Sequence, residues 1–202
     1  MSIDDLLKSC PASIQKSFKK KKYKKGEKII FQGSKNDYVY FLLSGELKVY
    51  CILPDGEEYV VEYLKDFVLV GEIELFLQKT AITMVEASTN CELLKLEKSK
   101  FLLWLEEDWI FNYYMLVSFA KRVSYLAENA AMRFSTTVDE RLQILLQRAS
   151  TEGSMEIYKS NIYNELYTTQ RSMNRSLKKF VDQKLIEVNE NKIFILKTDK
   201  HI

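Results

Sequence analysis

The spacing of apolar residues divides the chain into regions of different period. Between residues 28 and 96 the runs IIF, YVYFLL, LKVYCIL, YVVEYL, FVLV, ITMVEA and CELLKL are short and rich in β-branched and aromatic residues, and glycines at 33, 45, 56 and 71 punctuate them. Short strands at near-regular spacing predict a sandwich, roll or barrel. Pro54-Asp55-Gly56 predicts a hairpin turn, because proline sets φ, aspartate caps the turn and glycine accepts positive φ. Ahead of this region Ile3, Leu6, Leu7, Ile14 and Phe18 predict a short helical start, and the lysine run at 19–25 predicts a solvated strand edge.

From residue 106 the period turns helical. Ile110, Tyr113, Val117, Ala120, Ser124, Ala127 and Ala131 fall in alternating three- and four-residue steps, and Leu116, Phe119, Val123, Leu126 and Ala130 form a second stripe. A helix with two apolar stripes has two partners. One is assigned to the β domain; the stripe from Ile110 to Ala127 is assigned to the same helix of a second copy. A helix buried between two domains of one chain fits the same pattern. The acidic run Glu106-Glu107-Asp108 complements the dipole at the expected start of this helix. Thr136, Thr137 and Asp139 then offer a cap for a helix carrying Leu142, Ile144, Leu145 and Leu146.

Residues 160–196 predict a helix ending at Tyr167, a turn at Thr168-Thr169, a second helix, and a hairpin turning at Asn189-Glu190-Asn191. Thr169 is placed to cap the second helix. Met173, Leu177, Phe180 and Val181 recur at helical spacing and predict its inward stripe, with Ile162 and Leu166 of the first helix packed behind it. Gln170, Arg171, Asn174, Arg175 and Lys178 fall on the opposite face, and residues 169–179 contain no acid. Arginine grips guanine through two parallel hydrogen bonds and glutamine or asparagine does the same for adenine, so this face suits the major groove. Ser172 and Ser176 are short enough to let backbone approach phosphates. Helix, turn, helix and hairpin make a winged helix-turn-helix.

Composition narrows the alternatives. The formal net charge of +2 leaves nucleic-acid affinity to local clustering rather than to a global field. No apolar run reaches the ~18–20 residues of a membrane span, and the first residues do not read as a signal peptide. Cys10, Cys51 and Cys91 are odd in number and widely spaced, and His201 is the single histidine, so a metal or iron–sulfur site lacks ligands and the thiols read as those of a reducing cytoplasm. No cofactor is evident. With no usable histidine, nucleophile elbow or phosphate-binding loop, the chain does not read as an enzyme.

In order along the chain, a glycine-punctuated β region with GEIELF at 71–76, the pattern at 91–96, one long helix, residues 138–142, and the segment 169–177 with Asp182-Gln183-Lys184-Leu185-Ile186 together resemble the Crp/Fnr superfamily of bacterial transcription regulators, over about residues 15–197. The GEIEL variant resembles the YeiL-like branch. The resemblance implies an α+β chain: an N-terminal β-roll (double-stranded β-helix, jelly-roll-like) over 1–105, a dimerisation helix over 106–135, and a winged helix-turn-helix over 136–202. It implies a homodimer on a near-palindromic duplex, with two reading helices one DNA turn (roughly 34 Å) apart. By family analogy it also implies contact with RNA polymerase.

Members that bind cyclic AMP use a Gly-Glu pair for the ribose and an Arg-Ser pair about ten residues later for the phosphate. Gly71 and Glu72 match the first pair; the second falls on Ala81 and Ile82, and no arginine occurs before residue 122. Lys79, close by, is a point charge without the planar fork of arginine. The adenine contacts fall near Leu126 and Ala127, which offer no side-chain hydrogen bond. A buried phosphate without a cation is heavily penalised. The expectation is therefore a regulator whose β-roll senses an effector of unknown identity, not cyclic AMP, in a pocket drawn from Gly71, Glu72, Ile73, Ala81, Ile82, Val123 and Leu126. Two alternatives stay open: a sensing module whose C-terminal unit docks a protein, and a DNA binder that needs no ligand.

Overall fold

The computed structural model describes residues 3–65, 68–166 and 168–196. Tyr167, Phe67, His201 and the side chain of Ala131 therefore lie outside the described residues. The chain divides into two compact units, Met1–Cys51 with Leu64–Tyr125, and Ile52–Tyr63 with Leu126–Ile202.

In chain order come helices α1 (Ile3–Ser9) and α2 (Ala12–Gln15) and strands β1 (Lys19–Tyr23), β2 (Lys28–Ile30), β3 (Tyr38–Ser44) and β4 (Glu46–Ile52). There follow β5 (Glu58–Lys65), β6 (Leu69–Val70), α3 (Glu72–Leu77), β7 (Met84–Ala87), β8 (Cys91–Glu97), α4 (Lys98–Glu107) and α5 (Trp109–Ser135). The strands form two four-stranded sheets, in the orders β1-β8-β3-β6 and β2-β7-β4-β5. Every pairing recorded within the two sheets is antiparallel. The lysine run is indeed an edge strand: Lys19, Lys20, Lys21 and Lys22 are exposed, and Lys20 and Lys22 pair with Glu92.

Alternation in β3 explains why the first sheet is covered on both faces. Val39 and Phe41 point to a core shared with Leu96 of β8 and with Leu6, Ile14, Phe101, Trp104, Phe111 and Met115 from the helices. Tyr40 and Leu42 point the other way and are also buried. Trp104 stacks on Phe111 with ring centroids 3.7 Å apart, and its indole N–H donates to Asp108 Oδ2 at 3.1 Å. The acidic run sits differently from the sequence expectation. Glu106 and Glu107 close α4, and only Asp108 serves α5, accepting from the backbone N–H groups of Ile110 and Phe111. The long helix thus starts at Trp109 rather than at 106.

The C-terminal unit contains α6 (Val138–Thr151), β9 (Glu156–Tyr158), α7 (Lys159–Leu166), α8 (Gln170–Asp182), β10 (Ile186–Val188) and β11 (Lys192–Ile195). Thr137 and Glu140 form a reciprocal capping box at the start of α6. Leu142, Leu145, Leu146, Ile162, Leu166, Met173, Leu177 and Phe180 build its interior. The expected hairpin is present, and β9 joins it as a third strand in the order β10-β11-β9. The sequence pattern did not reveal β9 because three residues with one buried side chain, Ile157, carry no period. Arg141 is buried and structural: its Nε donates to the Leu166 carbonyl at 3.1 Å and its Nη1 to the Thr136 carbonyl at 2.6 Å.

Candidate nucleic-acid interface

Helix α8 is capped where expected. The Thr169 hydroxyl accepts from the Ser172 backbone N–H at 3.1 Å. Its far end closes with Lys184 in the left-handed region and Leu185 N donating to the Phe180 carbonyl at 3.0 Å. Met173, Leu177 and Phe180 are buried, which turns Gln170, Arg171, Asn174, Arg175 and Lys178 to solvent on the other side. Two residues depart from the expected division. Val181 is exposed rather than inward. Ser176 is buried and donates to Asp139 Oδ1 at 2.6 Å, so it anchors the helix and does not face a phosphate. Lys179 donates to the other oxygen of Asp139 at 2.5 Å. These partners, Lys179 first and then Ser176, hold the Asp139 carboxyl below its ordinary range. The exposed face carries guanidinium, amide and ammonium groups at helical spacing, the set that matches base edges and phosphates.

Helix α5 has a covered and an uncovered side. Phe111 and Met115 are buried, Phe119 packs partly on the same core, and Arg122 Nη1 reaches Glu72 Oε1 at 3.1 Å. The covered stripe is therefore Phe111, Met115, Phe119 and Arg122. The two apolar stripes read from the sequence are for the most part exposed in the single chain. Ile110, Tyr113, Leu116, Val123 and Leu126 are roughly half exposed or more; Ala120, Ser124 and Ala127 are also exposed, and Val117 is half-buried. Of the second stripe only Phe119 meets the core. The residues that pack inward lie beyond the second stripe, on the side away from the first. Tyr113, Leu116, Ala120, Val123 and Ala127 follow one another at steps of three and four, the spacing of a coiled-coil seam.

At the β-roll, Gly71 is in the left-handed region, and a Cβ there would lie 2.6 Å from the Tyr38 carbonyl, so no other residue fits. It opens α3 and sets Glu72 inward, 3 % exposed, against Arg122. No local pattern announces this guanidinium: it comes from the long helix, not from the segment around residue 81. Ala81 is buried in a loop, its backbone exchanging hydrogen bonds with Gly33 and Ser34. Ile73, Ile82, Val123 and Leu126, the remaining expected pocket residues, are exposed in the single chain. Burial pushes the Cys10 thiol up to about 12 and raises that of Cys51. Among the described residues no group of three or more His, Cys, Asp or Glu is placed to hold a metal ion, and no helix is long and apolar enough to cross a membrane.

Residues 20–108 match the model of the cyclic nucleotide-binding domain. The chain is 24% identical over 189 residues to the cAMP-activated global transcriptional regulator CRP of Escherichia coli, covering 88% of this chain and 89% of that protein. The chain is similar to the regulators of the Crp/Fnr superfamily. Two solved structures share the fold of this chain. One is the c-di-GMP responsive global regulator CLP of Xanthomonas campestris, with a TM-score of 0.75, 18% identity, and 97% and 98% of the two chains covered. The other is a transcriptional regulator of the crp/fnr family from Eubacterium rectale, with a TM-score of 0.66, 18% identity, and 96% and 94% covered. The Crp/Fnr likeness confirms the mixed α+β fold with an N-terminal roll, and the relatives it rests on are transcriptional regulators rather than enzymes.

Proposed function

We propose that this chain is a sequence-specific, DNA-binding transcription regulator that works as a homodimer in the cytoplasm. One observation carries the reading: Thr169-capped α8 turns Gln170, Arg171, Asn174, Arg175 and Lys178 outward together while Met173, Leu177 and Phe180 fasten its back. Arg171 and Arg175 read bases, Gln170 and Asn174 support them, and Lys178 binds phosphate. The uncovered seam of α5 joins two copies, which brings two such helices to one duplex. RNA polymerase is the further partner that the family suggests.

The β-roll senses an effector other than cyclic AMP. Support comes from Ala81 and Ile82, which carry no charge or hydroxyl where the phosphate-binding pair of nucleotide-binding relatives falls, and from Arg122, whose guanidinium is already engaged by the Glu72 carboxylate. Selection of duplexes from a random pool, repeated with cyclic AMP added, tests both parts. A near-palindromic consensus whose affinity falls steeply with salt is expected, unchanged by the nucleotide. Recovery of random sequence refutes specific reading. A large gain with cyclic AMP refutes the effector assignment.

A further inference from the structure

The turn joining β4 to β5 carries Asp55 and Glu57, β5 opens with Glu58, and the segment Ile52–Tyr63 groups with the C-terminal unit. It meets the N-terminal end of α8. Arg171 Nη1 donates to Glu57 Oε1 at 3.1 Å. Tyr59 forms an isolated antiparallel bridge with Thr169, the cap of that helix. The turn is internally braced in a way that fixes Glu57. Leu53 N donates to the Glu57 carbonyl at 2.9 Å, Gly56 N donates to the Leu53 carbonyl at 2.8 Å, and Glu57 N donates to Asp55 Oδ1 at 3.1 Å.

A groove-reading helix touches base edges with its N-terminal residues. That is the end the turn holds. A carboxylate on a guanidinium uses the same N–H groups that would grip a guanine or a phosphate. We propose that the acidic β4–β5 turn is an autoinhibitory plug, which mimics nucleic-acid charge, engages Arg171 and must leave α8 before DNA is read. The proposal rests on the reading of α8 as the DNA-contacting helix. Its strength is moderate: the Arg171 side chain is 86% exposed and that of Glu57 26%, so the ion pair alone shifts DNA affinity by no more than about five-fold. The plug therefore sets a threshold that an effector or a well-matched site can overcome.

The test is a double-mutant cycle on the full chain. Affinity for a duplex recovered from a random pool is measured by fluorescence anisotropy at fixed salt for the wild type, Glu57→Gln, Arg171→Ala and the combination. Glu57→Gln is expected to tighten binding about two- to five-fold, and to change nothing once Arg171 is absent. No gain from Glu57→Gln, or an equal gain with and without Arg171, overturns the plug while leaving DNA reading intact. Failure of the wild type and all variants to bind any recovered duplex refutes the reading of α8 itself, and the plug with it.

Discussion

Helices α5 and α8 each leave one side uncovered, and the chemistry of the two sides is opposite. On α5 the exposed positions are Tyr113, Leu116, Val123 and Leu126; on α8 they are Gln170, Arg171, Asn174, Arg175 and Lys178. Exposed apolar side chains at coiled-coil spacing gain by leaving water, so they seek a surface like themselves. Exposed guanidinium and amide groups are well solvated and gain only where acceptors are arranged to meet them. The backs of the two helices differ as well. Aromatic packing of Phe111 on Trp104 holds α5, together with one ion pair to Glu72. A thinner stripe of Met173, Leu177 and Phe180, reinforced by the hydrogen bonds of Asp139 to Ser176 and Lys179, holds α8.

The sharpest way to break this comparison is to put a charge into the apolar seam. Leu116→Asp is expected to separate the two copies, because each would bury an unpaired carboxylate at a cost of about 3–5 kcal/mol. Sedimentation equilibrium should show single chains, and operator affinity should fall about 100-fold or more. Next in size, Arg175→Ala should cost about 1–3 kcal/mol on the selected duplex and much less on random DNA. An equal loss on both would make Arg175 a phosphate contact. Lys178→Ala should weaken binding alike on all sequences and lower the salt slope by about one, read from titrations at several salt concentrations.

The smallest effect concerns the back of α8. Asp139→Asn should reduce stability to urea by about 1 kcal/mol, since it weakens one exposed ion pair and one hydrogen bond. Its pH dependence has a definite sign. The folded carboxyl is held below its ordinary range, so the folded state binds its proton less readily than the unfolded chain. The stabilisation is complete above the ordinary carboxylate range and disappears as pH falls through the depressed value. Urea titrations of wild type and Asp139→Asn should therefore differ near neutral pH and converge in acid.

What was legible in the sequence follows from the strength of each period. The strands of the roll, the capped α8 and the hairpin carry dense local signals, and each was found within a few residues of its expected bounds. The outward face of α8 is readable because most of its inward residues are apolar and most of its outward ones are not. The phase of α5 was not readable, since apolar residues lie almost all round it and the choice of covered stripe depends on Trp104 and Phe101, which are near in space but belong to another helix. The pairing of Arg122 with Glu72 and that of Arg171 with Glu57 span long stretches of chain, 50 and 114 residues, and no local pattern announces them. Ser176 shows the converse: a small polar residue on an apolar stripe is inward when a carboxylate such as Asp139 waits to receive it.

The uncovered seam of α5 has a consequence for how the protein would behave as its abundance changes. If two chains must join through that seam before both halves of a site are gripped, then at levels where most copies are single, occupancy grows with the square of the amount present. Halving expression would cut bound complexes about four-fold, by that same mass action. A cell could then set the response through synthesis and turnover of this chain alone, with no change in any bound molecule.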